Sequence, residues 1–321
     1  MKALLDDMAA GPPHRWTGPT PFRQLRERLV FVFLLVCAAI TILTTIGIVV
    51  VLGVETFQFF SKSDVSVLGF LTGTSTDLEE SGPSPKFGIL PLIWGTFEVA
   101  LGSSLIALPI GLLSAIYLSE YAPRRVRAVL KPTLELLAGI PTIVYGFLAM
   151  LLVTPVLKAV LTPLGLTVNI NNALSACIVV GIMIVPMVSS LSEDVLSAVP
   201  RGLREAGYGL GATKFEVSTK IVLPAALSGV TASFILAISR AVGETMAVVL
   251  AAGMSPRISL NPLTSIETMT TYMVAVIGGE ATVGSPKYLS LFAVGLTLFF
   301  STLLLNLLSS LVLRRYREIY Q

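Results

Sequence analysis

Six apolar runs dominate this chain of 321 residues, at about 29–54, 90–118, 133–157, 172–190, 222–252 and 288–313. A helix needs about 20 apolar residues to cross the hydrocarbon of a bilayer. Inside that layer every backbone N–H and C=O must find a partner within the protein. The runs therefore predict an all-α membrane protein with six transmembrane helices. The composition supports this, because charged residues make up only 13% of the chain where a soluble domain carries roughly 25%. Small and turn-forming residues recur inside the runs (Gly102, Pro109, Gly111, Gly139, Pro141, Gly146, Pro155, Gly181), and these permit close helix approach or local breaks. Pro186 predicts a kink in the fourth run. The first run is too long for the apolar core of a signal peptide, so no targeting peptide is expected.

The basic residues set an orientation. Loops 1–28, 119–132, 191–221 and 314–321 hold 16 of the 22 Lys and Arg residues. The opposite loops hold Lys62, Lys86, Lys158, Arg257 and Lys287. Basic loops stay in the cytoplasm, which predicts cytoplasmic tails at 1–28 and 314–321, a membrane domain over 29–313, and a cytoplasmic loop at 191–221. A sequence pI of 8.9 then reports topology beside lipid rather than a nucleic-acid partner. The opposite loop 55–89, with Asp77, Glu79, Glu80, Gly82, Pro83 and Pro85, reads as acidic and solvated. Loop 254–287 contains an apolar stretch that reads either as a short helix at the membrane surface or as plain loop.

Catalytic and metal chemistry find little support. The only histidine, His14, sits in a Gly/Pro-rich tail, and Cys37 and Cys177 fall inside apolar runs. No Ser/His dyad, paired aspartates or metal cluster stands out, so the chain is expected to be neither an enzyme nor a metal protein.

Two features carry the functional signal. The first is RGLREAGYGLGATKFEVSTKIVLP at 201–224. Pro200 can open a short helix, with Leu203, Ala206, Gly207 and Leu210 on one weakly apolar face. Gly211 suits a helix C-cap and turn. Thr213 and Glu216 have capping-box spacing for a second helix. Helix, sharp turn, helix makes a compact knob able to pass a rigid push to the spans. Gly207-x-Gly209-x-x-Ala212 satisfies a relaxed dinucleotide fingerprint, but no strand precedes it and no phosphate-binding loop sequence exists. This stretch is therefore not expected to bind a nucleotide.

The second feature is Arg240 and Glu244 inside the fifth run. Each charge costs roughly 2.5–3.5 kcal/mol at mid-membrane, so such residues face each other or a polar path. At i, i+4 the two share a helical face, with Leu236 and Val248 in the same strip and Gly229, Ser233, Ala237, Ala241 and Thr245 in the neighbouring one. The reading is an anion relay: Arg240 holds a tetrahedral oxyanion with its fork of donors, and Glu244 limits how tightly it is held. A purely structural ion pair is the alternative. Glu98, Thr142 and Tyr145 are further candidates for lining the path, and Glu135 is expected to pair with Arg124, Arg125 or Lys131.

Glu205-Ala206-Gly207, then Gly211 six residues after Glu205, then Ile221-Val222-Leu223-Pro224, resembles the EAA loop of ABC importer permeases, with Gly207 in place of the usual second alanine. LAGIPTIVYGF, SRAVGETMAVVLAAG and TMTTYM extend the resemblance to the PstC-type permease subunits of phosphate importers. That resemblance implies the type I ABC importer permease fold and a multi-pass protein of a bacterial or archaeal cytoplasmic membrane. It implies a PstA-type second permease subunit, a PstB-type ATPase dimer that binds ATP and Mg²⁺, and a PstS-type phosphate-binding protein, with no cofactor on this chain. It assigns Arg240 and Glu244 to the translocation path, and Glu205, Ala206, Gly207 and Gly211 to ATPase coupling. Rival readings are a sulfate or molybdate permease and a phosphate-sensing membrane scaffold.

Overall fold

The computed structural model describes residues 21–63, 65–76, 87–279 and 281–315. His14, Asp77, Glu79, Glu80, Gly82, Pro83, Pro85 and Arg317 lie outside the described residues. Among the described residues, structure is helical apart from one isolated bridge between Thr76 and Phe87.

The first helix, α1, runs Pro21–Lys62, and its residues from Leu52 onward group with the rest of the chain. It extends well past the expected end at 54. After the short α2 (Val67–Thr72) comes α3 (Leu90–Ile116), which continues into a π turn at Tyr117–Tyr121. α4 (Arg124–Ala138) follows, and α5 is the next span, Thr142–Leu164, widened by a π turn at Ala149–Val153. α6 runs Ala173–Ala198, and α7 is Arg201–Gly209. α8 (Lys214–Ala225) is bent by 72° from α9 (Leu227–Val242). α10 (Met246–Ala252), α11 (Met269–Gly278) and α12 (Pro286–Arg315) complete the fold. Among the described residues, five helices are long and apolar enough to cross a membrane, or six if the bent pair α8–α9 counts as one span.

Three expectations about the spans are corrected. The third span starts at Thr142, not 133, because Gly139 caps α4 and Pro141 disfavours helical backbone at Ile140. α6 does not stop near 190; it continues through Pro186 to Ala198 with Ser189, Ser192, Glu193 and Leu196 all buried. The fifth run is three helices rather than one. Pro224 has no N–H for the Lys220 carbonyl and crowds the turn before it, and that turn, Val217–Val222, is π. A second break falls at Gly243–Thr245.

The centre of the fold is the contact of α3 with α6. Small residues allow it: a Cβ on Gly102 would sit 2.5 Å from Cys177 Sγ, and one on Gly111 would sit 2.6 Å from Val188 Cγ1. α9 joins through its own strip, with Ser233, Ala237 and Ala241 buried and Ser233 Oγ 2.7 Å from Ser192 Oγ.

The end of this bundle away from α7 is more built than a solvated loop. Phe59, Phe70, Phe87 and Ile89 are buried there. The Phe59 ring meets Phe60, Phe70 and Phe87 edge-on at 5.0, 5.8 and 5.5 Å. Segment 254–268 is stitched to its neighbours by backbone bonds Leu174 N–H to Pro262 O (2.8 Å) and Ile266 N–H to Ala252 O (3.2 Å). Met269 N–H donates to Thr96 Oγ1 at 3.0 Å. The apolar stretch that follows is a helix, α11, most of its first turn buried.

Candidate functional site

Arg240 and Glu244 do not share a helical face. α9 ends at Val242, and the break at Gly243 turns the two side chains apart: Arg240 is exposed, while Glu244 is 7% exposed. Glu244 Oε1 accepts from the Ala247 N–H at 3.2 Å, so the carboxylate covers the first turn of α10, where the helix dipole favours negative charge. The Glu244 carbonyl accepts from Thr270 Oγ1 of α11 at 2.9 Å. Ion pairs among the described residues leave Arg240 out. The paired-charge alternative therefore fails in this structure, and the expected strip of Leu236, Arg240, Glu244 and Val248 holds only as far as Arg240, because Val248 is buried.

Tyr145 is buried on α5. Its hydroxyl donates to Leu137 O at 3.0 Å, tying α5 back to the last turn of α4. Thr142, one turn earlier, is half-buried. Gly146 lets α10 approach α5, since a Cβ there would lie 2.8 Å from Leu250 Cδ1. Glu98 stands apart on α3, half-buried, with Oε2 buried and without a hydrogen-bond partner. The structure thus ties Tyr145 to α4 and Gly146 to α10.

The knob is built as its sequence predicts. Gly211 has φ +81°, the left-handed region that glycine enters freely. Around it the Gly211 N–H donates to Tyr208 O (3.0 Å) and the Ala212 N–H to Gly207 O (3.1 Å), closing α7 with the paired bonds of a Schellman cap. Glu216 N–H donates to Thr213 Oγ1 (3.3 Å) and Thr213 N–H to Glu216 Oε2 (3.0 Å), which completes the capping box. The Thr213 backbone bond, aided by Lys220, holds the Glu216 carboxyl down at about 2. Gly207 is buried against Val217 and Ile221. Glu205 and Ala206 are exposed on the other side of α7. Leu210 does not join the inward face; it is 90% exposed, and Phe215 is 68% exposed. The knob presents apolar side chains outward, as a surface that a second protein covers would.

Sequence reasoning missed the charged cluster beneath the knob. Glu193 on α6 is fully buried. Its Oε1 takes an ion pair from Arg127 and accepts from Ser197 Oγ (2.8 Å); its Oε2 accepts from Lys131 Nζ at 2.8 Å. Lys131 also pairs with Asp194. Glu135, expected to take Lys131 or a neighbouring arginine, is exposed on α4 and forms none of these pairs. Burial alone would lower Lys131; bonds and charge from Asp194 and Glu193 outweigh it and raise the ammonium. Nearby, Arg204 of α7 donates to Glu120 Oε1 at 2.9 and 3.1 Å and to the Leu196 and Val199 carbonyls. The signal for Glu193 was present: the buried stripe of α6 at three- and four-residue spacing runs on through Ser189, Glu193 and Leu196.

Residues 107–318 match the family described as the binding-protein-dependent transport system inner membrane component. The chain belongs to that family. Among relatives of this permease, the probable ABC transporter permease protein YqgH of Bacillus subtilis is 36% identical over 292 residues, 90% of this chain and 92% of the relative. The phosphate transport system permease protein PstC of Mesorhizobium japonicum is 35% identical over 297 residues, 86% of this chain and 89% of the relative. A structure of the MetNI methionine ABC transporter in an inward facing conformation matches 72% of this chain and 95% of its own, with a TM-score of 0.51 and 19% identity. The permease therefore has the helical fold of ABC transporter membrane subunits, and it is a multi-pass membrane protein.

Proposed function

We propose that this permease is the PstC-type half of an ATP-driven phosphate importer in a bacterial or archaeal cytoplasmic membrane, with both termini in the cytoplasm. A PstA-type permease completes the path, a PstS-type binding protein delivers phosphate, and a PstB-type ATPase dimer holding ATP and Mg²⁺ docks on α7. The observation that carries the reading is Arg240: an exposed guanidinium, outside every ion pair described, at the end of α9, one arm of the bent apolar pair. Hydrocarbon penalises such a charge, so this face of α9 turns to a polar path. There the guanidinium meets the oxygens of a tetrahedral anion. Glu244, four residues on and hydrogen-bonded to the first turn of α10, stands near the path without pairing with Arg240. A Glu244 oxygen that accepts from a protonated phosphate oxygen favours phosphate over sulfate, which carries no proton at neutral pH.

The path residues Arg240, Glu244, Thr142 and Tyr145, and the coupling residues Glu205, Ala206, Gly207 and Gly211, are assigned on this reading; Glu98 lines the outer approach. Labelled phosphate and sulfate uptake by vesicles holding the whole complex tests it. Arg240→Gln assembles with its partners, retains ATPase binding and loses phosphate uptake by at least about tenfold, the effect of roughly 1.4 kcal/mol or more on the barrier. Equal loss of assembly and uptake would instead return Arg240 to a packing role. Uptake of sulfate in preference to phosphate by the wild type would move the substrate to another oxyanion.

A further inference from the structure

We propose that Glu193 is a positioning residue for transport: it latches α4 to the end of α6, so that movement of the knob reaches the path through α4. The inference rests on the permease reading above. α4 contains no fully buried residue, so no core of its own holds it. Beside the packing of the two helices, its polar attachment to α6 is the Arg127 and Lys131 pairing with Glu193 and Asp194 and the Arg127 bond to Ser197 Oγ at 2.9 Å. The final turns of α6 also receive α7, because Arg204 donates to the Leu196 and Val199 carbonyls and to Glu120. Residues of α4, α6 and α7, Arg127, Ser197 and Arg204 among them, line one cavity of about 380 Å³. A push on α7 therefore displaces the turn that grips α4.

At its other end α4 meets the path. Leu137 O accepts from the Tyr145 hydroxyl, and the next residue, Gly146, packs on Ala247 and Leu250 of α10, the helix whose first turn Glu244 covers. Between the two helices stand Gly139 and Pro141, a short break able to absorb a change in backbone angles. Glu193 is well suited to the role. A fully buried carboxylate stripped of a cationic partner is strongly disfavoured, so α4 follows α6 rather than parting from it.

The test uses the whole importer in vesicles and reads phosphate uptake and ATP hydrolysis in one preparation. Glu193→Gln keeps hydrolysis and lowers uptake per ATP about tenfold; Lys131→Gln lowers it a few-fold. The double variant is no worse than Glu193→Gln, because both act through one latch. A second readout needs no solute: spin labels at Ala128 on α4 and Gly202 on α7 keep their separation when ATP binds the wild type, and lose it in Glu193→Gln. An unchanged uptake ratio in both variants, additive losses, or labels that keep one separation in every form overturn the proposal. Should Glu193→Gln fail to assemble, Lys131→Gln decides alone by the same measures. A wild type that hydrolyses ATP but moves no phosphate defeats the substrate reading, while the labels still test the latch.

Discussion

The two ends of the helical bundle are joined by different forces. Around α7, ion pairs between helices add to a smaller apolar cluster of Leu196, Val217 and Val222: Arg127 and Lys131 reach Glu193, and Arg204 reaches Glu120. At the opposite end they meet through rings packed on Phe59 and through backbone bonds that tie segment 254–268 to α6 and α10. Ring packing sums many short-range contacts, and a small displacement forfeits much of it. Ionic partners on long side chains can follow one another through a movement of an ångström or more. On the proposed function, motion belongs to the end where ion pairs join the helices and rigidity to the end of the ring cluster.

The largest expected effect breaks the rigid end. Phe59→Ala removes a fully buried ring from contact with three others and costs roughly 3–5 kcal/mol. Thermal unfolding of the purified complex in lipid reports the loss, and uptake per ATP in the folded fraction stays at the wild-type value. This is the reverse of the pattern expected for Glu193→Gln. A Phe59→Ala complex of normal stability but poor coupling would dissolve the distinction between the two ends.

The next effect separates the ends by pH. Glu267 precedes α11, fully buried, with neither carboxylate oxygen hydrogen-bonded. Burial raises it to about 7. Its folded form therefore binds a proton more readily than its unfolded form does. The associated stability is complete below the ordinary carboxylate range and is lost as pH rises through 7, by roughly 3 kcal/mol. Glu216 at the knob has the opposite sign: held down at about 2 by the Thr213 backbone bond and Lys220, it supports the capping box above the ordinary range and releases it as pH falls toward 2. Between pH 5 and 8 the midpoint of unfolding should fall for the wild type and stay level for Glu267→Gln. A level wild-type curve would mean that Glu267 finds a partner in the assembled complex.

What could be read in the sequence follows from how local each cause is. The spans were legible because 20 apolar residues need no distant partner to choose the bilayer. The knob was legible for the same reason: Gly211 and the Thr213–Glu216 box act within a few residues. The break at Gly243 was not, since it is sustained by Glu244 covering α10 and by Thr270 reaching over from α11. The ring cluster was hidden because Phe59, Phe70 and Phe87 follow no helical or strand period and converge only when α1, α2 and α3 pack. Glu193 lies just past the apolar run expected to end at 190, and the cations that admit it into the core lie more than 60 residues away.

The smallest effect concerns Gly207. Alanine at this helical position gains up to about 1 kcal/mol of helix propensity. Its Cβ would lie 2.6 Å from Ile221 Cδ1 and 3.0 Å from Val217 Cγ2. Ile221 Cδ1 is the tip of a flexible side chain and can turn aside, at a cost similar to the propensity gained. Gly207→Ala should therefore change stability by no more than about 0.5 kcal/mol. Gly95 supplies the contrast: a Cβ there would run into the Glu267 backbone carbonyl, which has no rotamer to escape into, so Gly95→Ala should unfold the opposite end at a distinctly lower temperature. Matched unfolding curves for the two variants sharpen the comparison to a single methyl group at each end, and equal losses would show that the knob is packed as rigidly as the ring cluster it is meant to differ from.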